Sequence, residues 1–445
     1  MESLLKDTKS TLKLATPIIF GQIAYILMGF VDTVMVARLG VAELGSVAFS
    51  SNIVSVGIIC SLGMSSAIAA LVSEAEGAGK KHLVGRYLRH GVLLLQTYGL
   101  LLLGLFSFLI LNIHWFNQTP EITKLAPLYL KWVIYSFPAI ALFHCFKQFY
   151  EATHRSVVPM VAVYSANILN VVLNYALIFG NFGAPEMGIE GAAIASLASR
   201  YFMATSIIIY TYTRKNFAEY GLSFANFKLE LPYLKKTFQI GIPSSLQYLF
   251  EVGAFAFCGV LAGTLGNTEI SSHQIALNLA AFTYMGALGW SFASSVKIGN
   301  AFGSEKYTRI KSYGWNSIVA ITIYMSITAL FFVLFRNQLP KLYIDDMAVL
   351  KLSAGVLIFA AIFQLADGIQ ATCLGLLRGI QDVKVPTIIT LIVYWVLTIP
   401  GAYYAAHKTQ WGLYGIWFCL TAGLFLSAFA LMLRFKFKSD QLLKK

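Results

Sequence analysis

Charge is scarce in this chain. Only 12% of its 445 residues are Asp, Glu, Lys or Arg, while 58% are hydrophobic. An average soluble domain carries about 25% charged residues, so the balance excludes a soluble enzyme with a large core. The strict polar/apolar alternation of outer-membrane strands is missing, and the apolar runs have helix length. Cysteine is scarce as well. The five residues (Cys60, Cys145, Cys258, Cys373 and Cys419) fall in or beside apolar runs and share no CxxC spacing. That excludes a disulfide framework or a metal site, and leaves them as small buried apolar residues. Catalytic motifs are absent too. Without a GxxxxGK[ST] loop there is no ATP-driven pump; GxSxG and HExxH are also missing. The chain is therefore read as no enzyme and as needing no cofactor. Its formal charge of +13 would suit nucleic acid. The basic residues, however, sit in short clusters between apolar runs, which is the pattern of membrane topology.

What is present is a succession of apolar runs, bounded at about 14–38, 45–73, 90–112, 126–151, 159–180, 188–213, 236–264, 272–302, 311–335, 348–377, 385–405 and 411–436. Each is long enough for a transmembrane helix. The class is an all-α polytopic membrane protein of twelve spans. An even number puts both ends on one side, and the Lys and Arg residues between spans are strongly biased to that side, so both termini are expected to be cytoplasmic. The first run follows MESLLKDTKSTLKLATP and holds an acid; it is read as an uncleaved anchor rather than a signal peptide.

The longest polar segment, 214–235, splits the spans six and six. The expected organisation is an amino-terminal six-helix lobe (1–213), a cytoplasmic inter-lobe loop (214–235) and a carboxy-terminal six-helix lobe (236–445). The lobes are pseudo-symmetric. At an offset of about 226, Pro17 matches Pro243, Leu39-Gly40 matches Leu265-Gly266, Glu43 matches Glu269 and Asn52 matches Asn278. Val158-Pro159 matches Val385-Pro386. Both halves begin on the same side, so the repeats are parallel, a transporter arrangement with a substrate site between lobes.

Three acids lie deep in the runs: Asp32, Glu251 and Asp367. An ionised carboxylate there costs at least about 2.5–3.5 kcal/mol, so each is expected to face a cavity, an ion or a partner. The fifth run adds Asn167, Asn170 and Asn174; the last two, four apart, share a helix face. They either glue helices or build a polar pocket around Asp32. Glu151 ends the fourth run near Arg155 and is read as a salt bridge or a pocket residue. The eighth run opens with His273, Gln274 and Asn278, expected near its outer end. Glu251 and Asp367 together would make a site for a hard cation such as Na⁺, or could share a proton. Aromatic residues, among them Tyr25, Phe30, Tyr248, Phe255, Tyr284 and Trp290, fall in runs expected to border the pocket, where rings beside acids suit flat organic cations. Gly299–Gly303 has GxxxG spacing suited to close helix packing.

Taken in order, these residues resemble the multidrug and toxic compound extrusion (MATE) transporters, NorM branch, over essentially the whole chain. The resemblance rests on P-x(14)-DT at Pro17–Thr33, LG-x-x-x-LG-x-x-A at Leu39–Ala48 and NY-x-LI-x-G-x-x-G-x-P-x-x-G at Asn174–Gly188. It rests further on FEV at Phe250–Val252, HQ-x-ALN at His273–Asn278 and LADGIQATCLGLLRGIQD at Leu365–Asp382. It implies a secondary antiporter with two lobes around a V-shaped cleft, exporting cationic or amphiphilic drugs in exchange for Na⁺ or H⁺. By the resemblance Asp32 is the first-helix acid, Asn170 and Asn174 the amino-lobe polar pair, Glu151 a fourth-helix acid, and Glu251 with Asp367 the carboxy-lobe cation pair. One position departs: four residues before the last acid, where sodium carriers of the branch can present Tyr, this chain has Phe363. The expected partners are small organic cations and the lipid bilayer. The protein is expected to act as a monomer in the bacterial cytoplasmic membrane. The alternative is a lipid-linked sugar flippase of the wider superfamily. That function would need a large cationic cleft, and the basic residues within the runs are Lys147, Arg200 and Lys297, near span ends.

Overall fold

The computed structural model describes residues 2–116, 118–223 and 227–444, except the side chains of residues 2–4, 215, 216 and 218. Residues 224–226 of the expected inter-lobe loop, like the terminal residues 1 and 445, lie outside the described residues. The described residues form helices and connecting turns, without a strand. Twelve helices are long and apolar enough to cross a membrane. They are α1 (Leu5–Val36), α2 (Val41–Gly77), α3 (Lys81–Leu111), α4 (Pro120–Ala152), α5 (Val157–Phe179) and α6 (Gly188–Thr213). The second six are α7 (Leu231–Leu265), α8 (Asn267–Gly303), α9 (Tyr307–Phe335), α10 (Met347–Gly379), α11 (Lys384–His407) and α12 (Gly412–Leu442).

These are the twelve expected spans in order, most of them longer. α3 begins at Lys81 and α12 runs to Leu442, beyond the apolar stretches that announced them. Hydropathy marks only the part of a helix that needs apolar surroundings, and an established helix elongates cheaply past it. Many large apolar side chains stay exposed along the helices, for example Leu100, Leu101, Ile168, Val260 and Ile327. On a membrane-spanning bundle that is the surface for lipid.

Two helices are irregular. α4 contains a 3-10 turn at Ile134–Ser136. α11 widens into a π turn over Ile392–Thr398, just before Pro400. Proline lacks the N–H that would bond one turn back, so the preceding turn must rearrange.

Packing divides the chain into two compact units: Phe20–Ser245, and Met1–Ile19 together with Leu246–Lys445. The division by chain order at 213/236 and this division by packing differ at two helix starts. The start of α1 packs on the second half: Lys297 Nζ of α8 donates to Asp7 O at 3.1 Å and Thr11 Oγ1 at 2.9 Å, and Asn316 Nδ2 donates to Asp7 Oδ2 at 2.8 Å. The start of α7 packs on the first half. Lys236 binds Glu74 at 2.9 Å, Arg86 donates to Tyr233 Oη at 2.9 Å, and Ser245 Oγ donates to Cys60 O at 3.0 Å. Both breaks fall just past Pro17 and Pro243, each inside its helix.

The repeat seen in the sequence is also a repeat of backbone turns. Gly40 and Gly266 have φ of 154° and 150°, a region that only glycine enters readily. Each is followed three residues later by a glutamate folded back against it, Glu43 and Glu269. Further left-handed residues pair at nearly the same offset: Gly79 with Glu305, His154 with Gln381, and Gly188 with Gly412.

Candidate transport sites

In the first-half unit, Asp32 of α1 is buried. Asn174 Nδ2 of α5 donates to its Oδ1 at 2.6 Å, and Ser196 Oγ of α6 donates to its Oδ2 in a short contact. The Asn174 amide also donates to Asn170 Oδ1 at 3.2 Å, one turn away on the same face. Asp32, Asn170 and Asn174 are thus brought together by these bonds, which also tie α5 to α1. Ser196 was not among the expected residues. Asn167 ties α5 to α1 as well, donating to Ala24 O at 2.6 Å.

The site keeps unspent hydrogen-bonding capacity. Asn170 Nδ2, Asn174 Oδ1, Asn167 Oδ1 and Tyr25 Oη are buried without partners. Buried polar atoms are normally satisfied by protein, water or a bound molecule, so these suit water or a polar guest.

Glu151 is buried in α4, and its partner is Lys147, one turn back, at 3.1 Å. Of the two readings of Glu151, salt bridge or pocket residue, the salt bridge forms with Lys147 and not with Arg155. α4 ends at Ala152, and His154 turns the chain through φ = 60°. Arg155 therefore leaves that face, and its guanidinium lies 4.5 Å from the Phe217 ring centre.

In the second-half unit, Glu251 of α7 and Asp367 of α10 are both buried, and their charges act on each other. Gln370, one turn after Asp367, donates to Glu251 Oε1 at 3.0 Å, and its amide and Tyr394 Oη of α11 are within 2.9 Å. The π turn of α11 holds Tyr394 there, while the neighbouring Trp395 Nε1 bonds Phe250 O at 2.9 Å. The site thus gathers two carboxylates, an amide and a phenol hydroxyl, an oxygen-rich set of the kind hard cations take.

Phe363 is buried edge-on between Phe255 and Trp417, with ring centres 5.8 Å away in each case. A hydroxyl near the acids comes from Tyr394 instead. Gln274 and Asn278 are exposed, and they bond each other at 3.0 Å rather than either acid. They line a surface hollow of about 380 Å³ with Tyr343 and Ile344. Among the described residues no group of three or more His, Cys, Asp or Glu is placed to hold a metal ion. The cysteines are free, four of them buried and Cys419 partly so.

α10 owes its position to a close approach to α8. A Cβ at Gly375 would fall 2.5 Å from Ser291 Oγ, and one at Gly379 would fall 2.6 Å from Ser295 O. Ser291 Oγ itself donates to Ala371 O at 2.5 Å.

A family model described as MatE matches residues 17–176 and again 243–404, once in each repeat. The chain belongs to the MatE family. Among its relatives is the multidrug resistance protein NorM of Photobacterium profundum, 28% identical over 441 residues, which cover 98% of this chain and 96% of that protein. A probable multidrug resistance protein NorM of Rhizobium meliloti is 31% identical over 438 residues, covering 96% and 92%. Among solved structures, a MATE protein in a bent conformation superposes with a TM-score of 0.91 at 20% identity, covering 100% of this chain and 99% of that one. The eukaryotic MATE transporter AtDTX14 gives 0.90 at 21% identity, covering 99% of both chains. These structures share the fold. Family membership makes the chain a multi-pass membrane transporter and not an enzyme.

Proposed function

We propose that this MatE-family transporter exports cationic, amphiphilic organic compounds in exchange for Na⁺ or H⁺ by alternating access. It would do so as a monomer in the bacterial cytoplasmic membrane, with both termini cytoplasmic. The relatives' name, multidrug resistance protein, supports drug export. The observation that carries the reading is the pair of buried acidic sites, one in each compact unit: Asp32 with its Asn and Ser donors, and Glu251 with Asp367. A buried carboxylate attracts an organic cation through a low-dielectric medium, and the attraction is lost when a proton or metal cation neutralises it. The coupling cation binds at Glu251 and Asp367, or a proton binds at Asp32, and the drug then leaves. Coupling needs the two ligands to favour different states, because a ligand shifts an equilibrium only through differential affinity. In this reading Asn170 and Asn174 line the drug pocket, while Glu151, paired to Lys147, braces α4.

The test is efflux of a fluorescent cationic dye from proteoliposomes, with Na⁺ and pH gradients imposed separately. Efflux driven by Na⁺ alone assigns coupling to Glu251 and Asp367. Efflux driven by pH alone assigns it to protonation, with Asp32 leading. A response to neither, with several cationic dyes, refutes the proposal.

A further inference from the structure

We propose that Arg378 is the inner electrostatic barrier of the second-half site, which keeps the coupling cation from leaking through to the side of the chain termini. The inference rests on the proposed coupling role of Glu251 and Asp367.

Its place in the fold comes first. With twelve crossings, the end of α10 lies on the same side as the two termini. Arg378 is the penultimate residue of α10. Gln370 and Asp367 stand eight and eleven residues before it, about 12 and 16 Å along the axis at 1.5 Å per residue. Its guanidinium lies 5.4 Å from the centre of the Tyr248 ring. Tyr248 precedes Glu251 by three residues on α7, one turn nearer the same side. The charge of Arg378 therefore stands between the acid pair and that surface, and it acts on the Glu251 carboxylate.

Its condition comes next. Arg378 is 2% exposed, and its Nε and Nη1 atoms are buried without a hydrogen-bond partner. The nearest carboxylate in sequence, Asp382, is engaged by Arg434 through both oxygens, at 2.6 and 3.2 Å. No salt bridge to Arg378 occurs among the described residues. A structural arginine at this depth would be expected to carry a carboxylate partner, because a buried unpaired charge is costly. The repeat sharpens the contrast. With His154 and Gln381 in register, Arg378 corresponds to Glu151, and Leu374 corresponds to Lys147. In the first half the buried charge is neutralised one turn away; in the second half the neutralising residue has become leucine.

An uncompensated positive charge on a cation's exit route is how pores reject cations. A unit charge about 10 Å from the route, at an effective dielectric of about 20, changes cation occupancy roughly tenfold.

The experiment measures passive tracer Na⁺ and proton flux into proteoliposomes without any drug. R378Q is expected to raise the flux tenfold or more. R378K, which keeps the charge, is expected to stay as tight as the native protein, and R378Q/D367N is expected to lose the leak because the acids relay it. If R378Q does not fold, R378M tests the same charge loss with a stem of similar size. A neutral variant that exchanges drug and remains tight overturns the barrier, and so does R378K leaking as much as R378Q. The coupling reading fails separately: D367N that still exchanges drug for cation would refute that reading, whatever Arg378 does.

Discussion

Replacing Gly375 by alanine sets two effects of known size against each other. In a helix interior, alanine is favoured over glycine by about 0.8–1.0 kcal/mol. Against this, the new methyl would sit 2.5 Å from Ser291 Oγ and 3.0 Å from the Ser291 carbonyl carbon, and closer still to the carbonyl oxygen. Interiors are packed without slack, so α8 and α10 must part by roughly 1 Å to restore ordinary contact. Overpacking typically costs about 1–3 kcal/mol. The upper end applies here for two reasons. The obstacle is backbone, and Ser291 Oγ cannot swing away without losing its bond to Ala371 O. The clash wins, by about 2 kcal/mol. The displaced helix also carries Gln370 and Asp367, so cation-driven efflux falls with stability. The assay is thermal unfolding of the purified protein in detergent, with Gly104→Ala as control, since nothing lies within 4 Å of a Cβ there. Gly104→Ala is expected to melt slightly above the native protein, from helix propensity alone, and Gly375→Ala melting as high as Gly104→Ala would refute the close-approach argument.

Two other substitutions probe buried polarity. Lys147→Met strands Glu151 as an unpaired buried acid and is expected to cost about 3–5 kcal/mol, whereas the double change Lys147→Met/Glu151→Met costs far less; unfolding of both variants, side by side, measures the difference. Phe363→Tyr puts a hydroxyl between Phe255 and Trp417, whose Nε1 is buried without a hydrogen-bond partner, and is expected to leave the Na⁺ dependence of efflux unchanged. A gain of Na⁺ dependence in that variant would mean the position does reach the cation.

The spans, the repeat and the buried acids were legible because each is a local signal. An apolar run, a proline or glycine at a fixed offset, and a carboxylate in hydrocarbon all declare themselves without knowledge of neighbours. The partners of those acids were not legible in the same way. Ser196 sits in GAAIASLASR among other small residues, and nothing in the run singles it out until α6 is packed on α1. Gln370 had a usable signal, since it lies one turn from Asp367 and so on its face. Tyr394 lies in the π turn before Pro400, a distortion that the proline announces but whose direction depends on packing. Arg378 reads as a cytoplasmic end residue, because it follows the last apolar residue of its run. Burial came from the helix continuing to Gly379 with the side chain folded inward over Tyr248. For Glu151, two lysine or arginine partners stood at the same spacing, and only the left-handed turn at His154 decided between them.

The halves share their turns while their charges have moved. At the repeat offset, Glu251 of α7 corresponds to Tyr25 of α1, and Asp32 of α1 corresponds to Cys258 of α7. The acid has shifted by two turns between two copies of one helix. The surroundings have changed with it. Asp32 receives hydrogen bonds from an amide and a hydroxyl; in the proposed exchange those donors would hold its charge for an organic cation. Glu251 has an amide beside it that a phenol also reaches; in the proposed exchange this carboxylate and Asp367 would take the small cation. Two identical sites would compete for the same ligand and couple nothing to it. In the proposed exchange the two ligands must prefer different groups, and displacing one acid along a repeated helix would be a small change able to separate those preferences while leaving the scaffold intact.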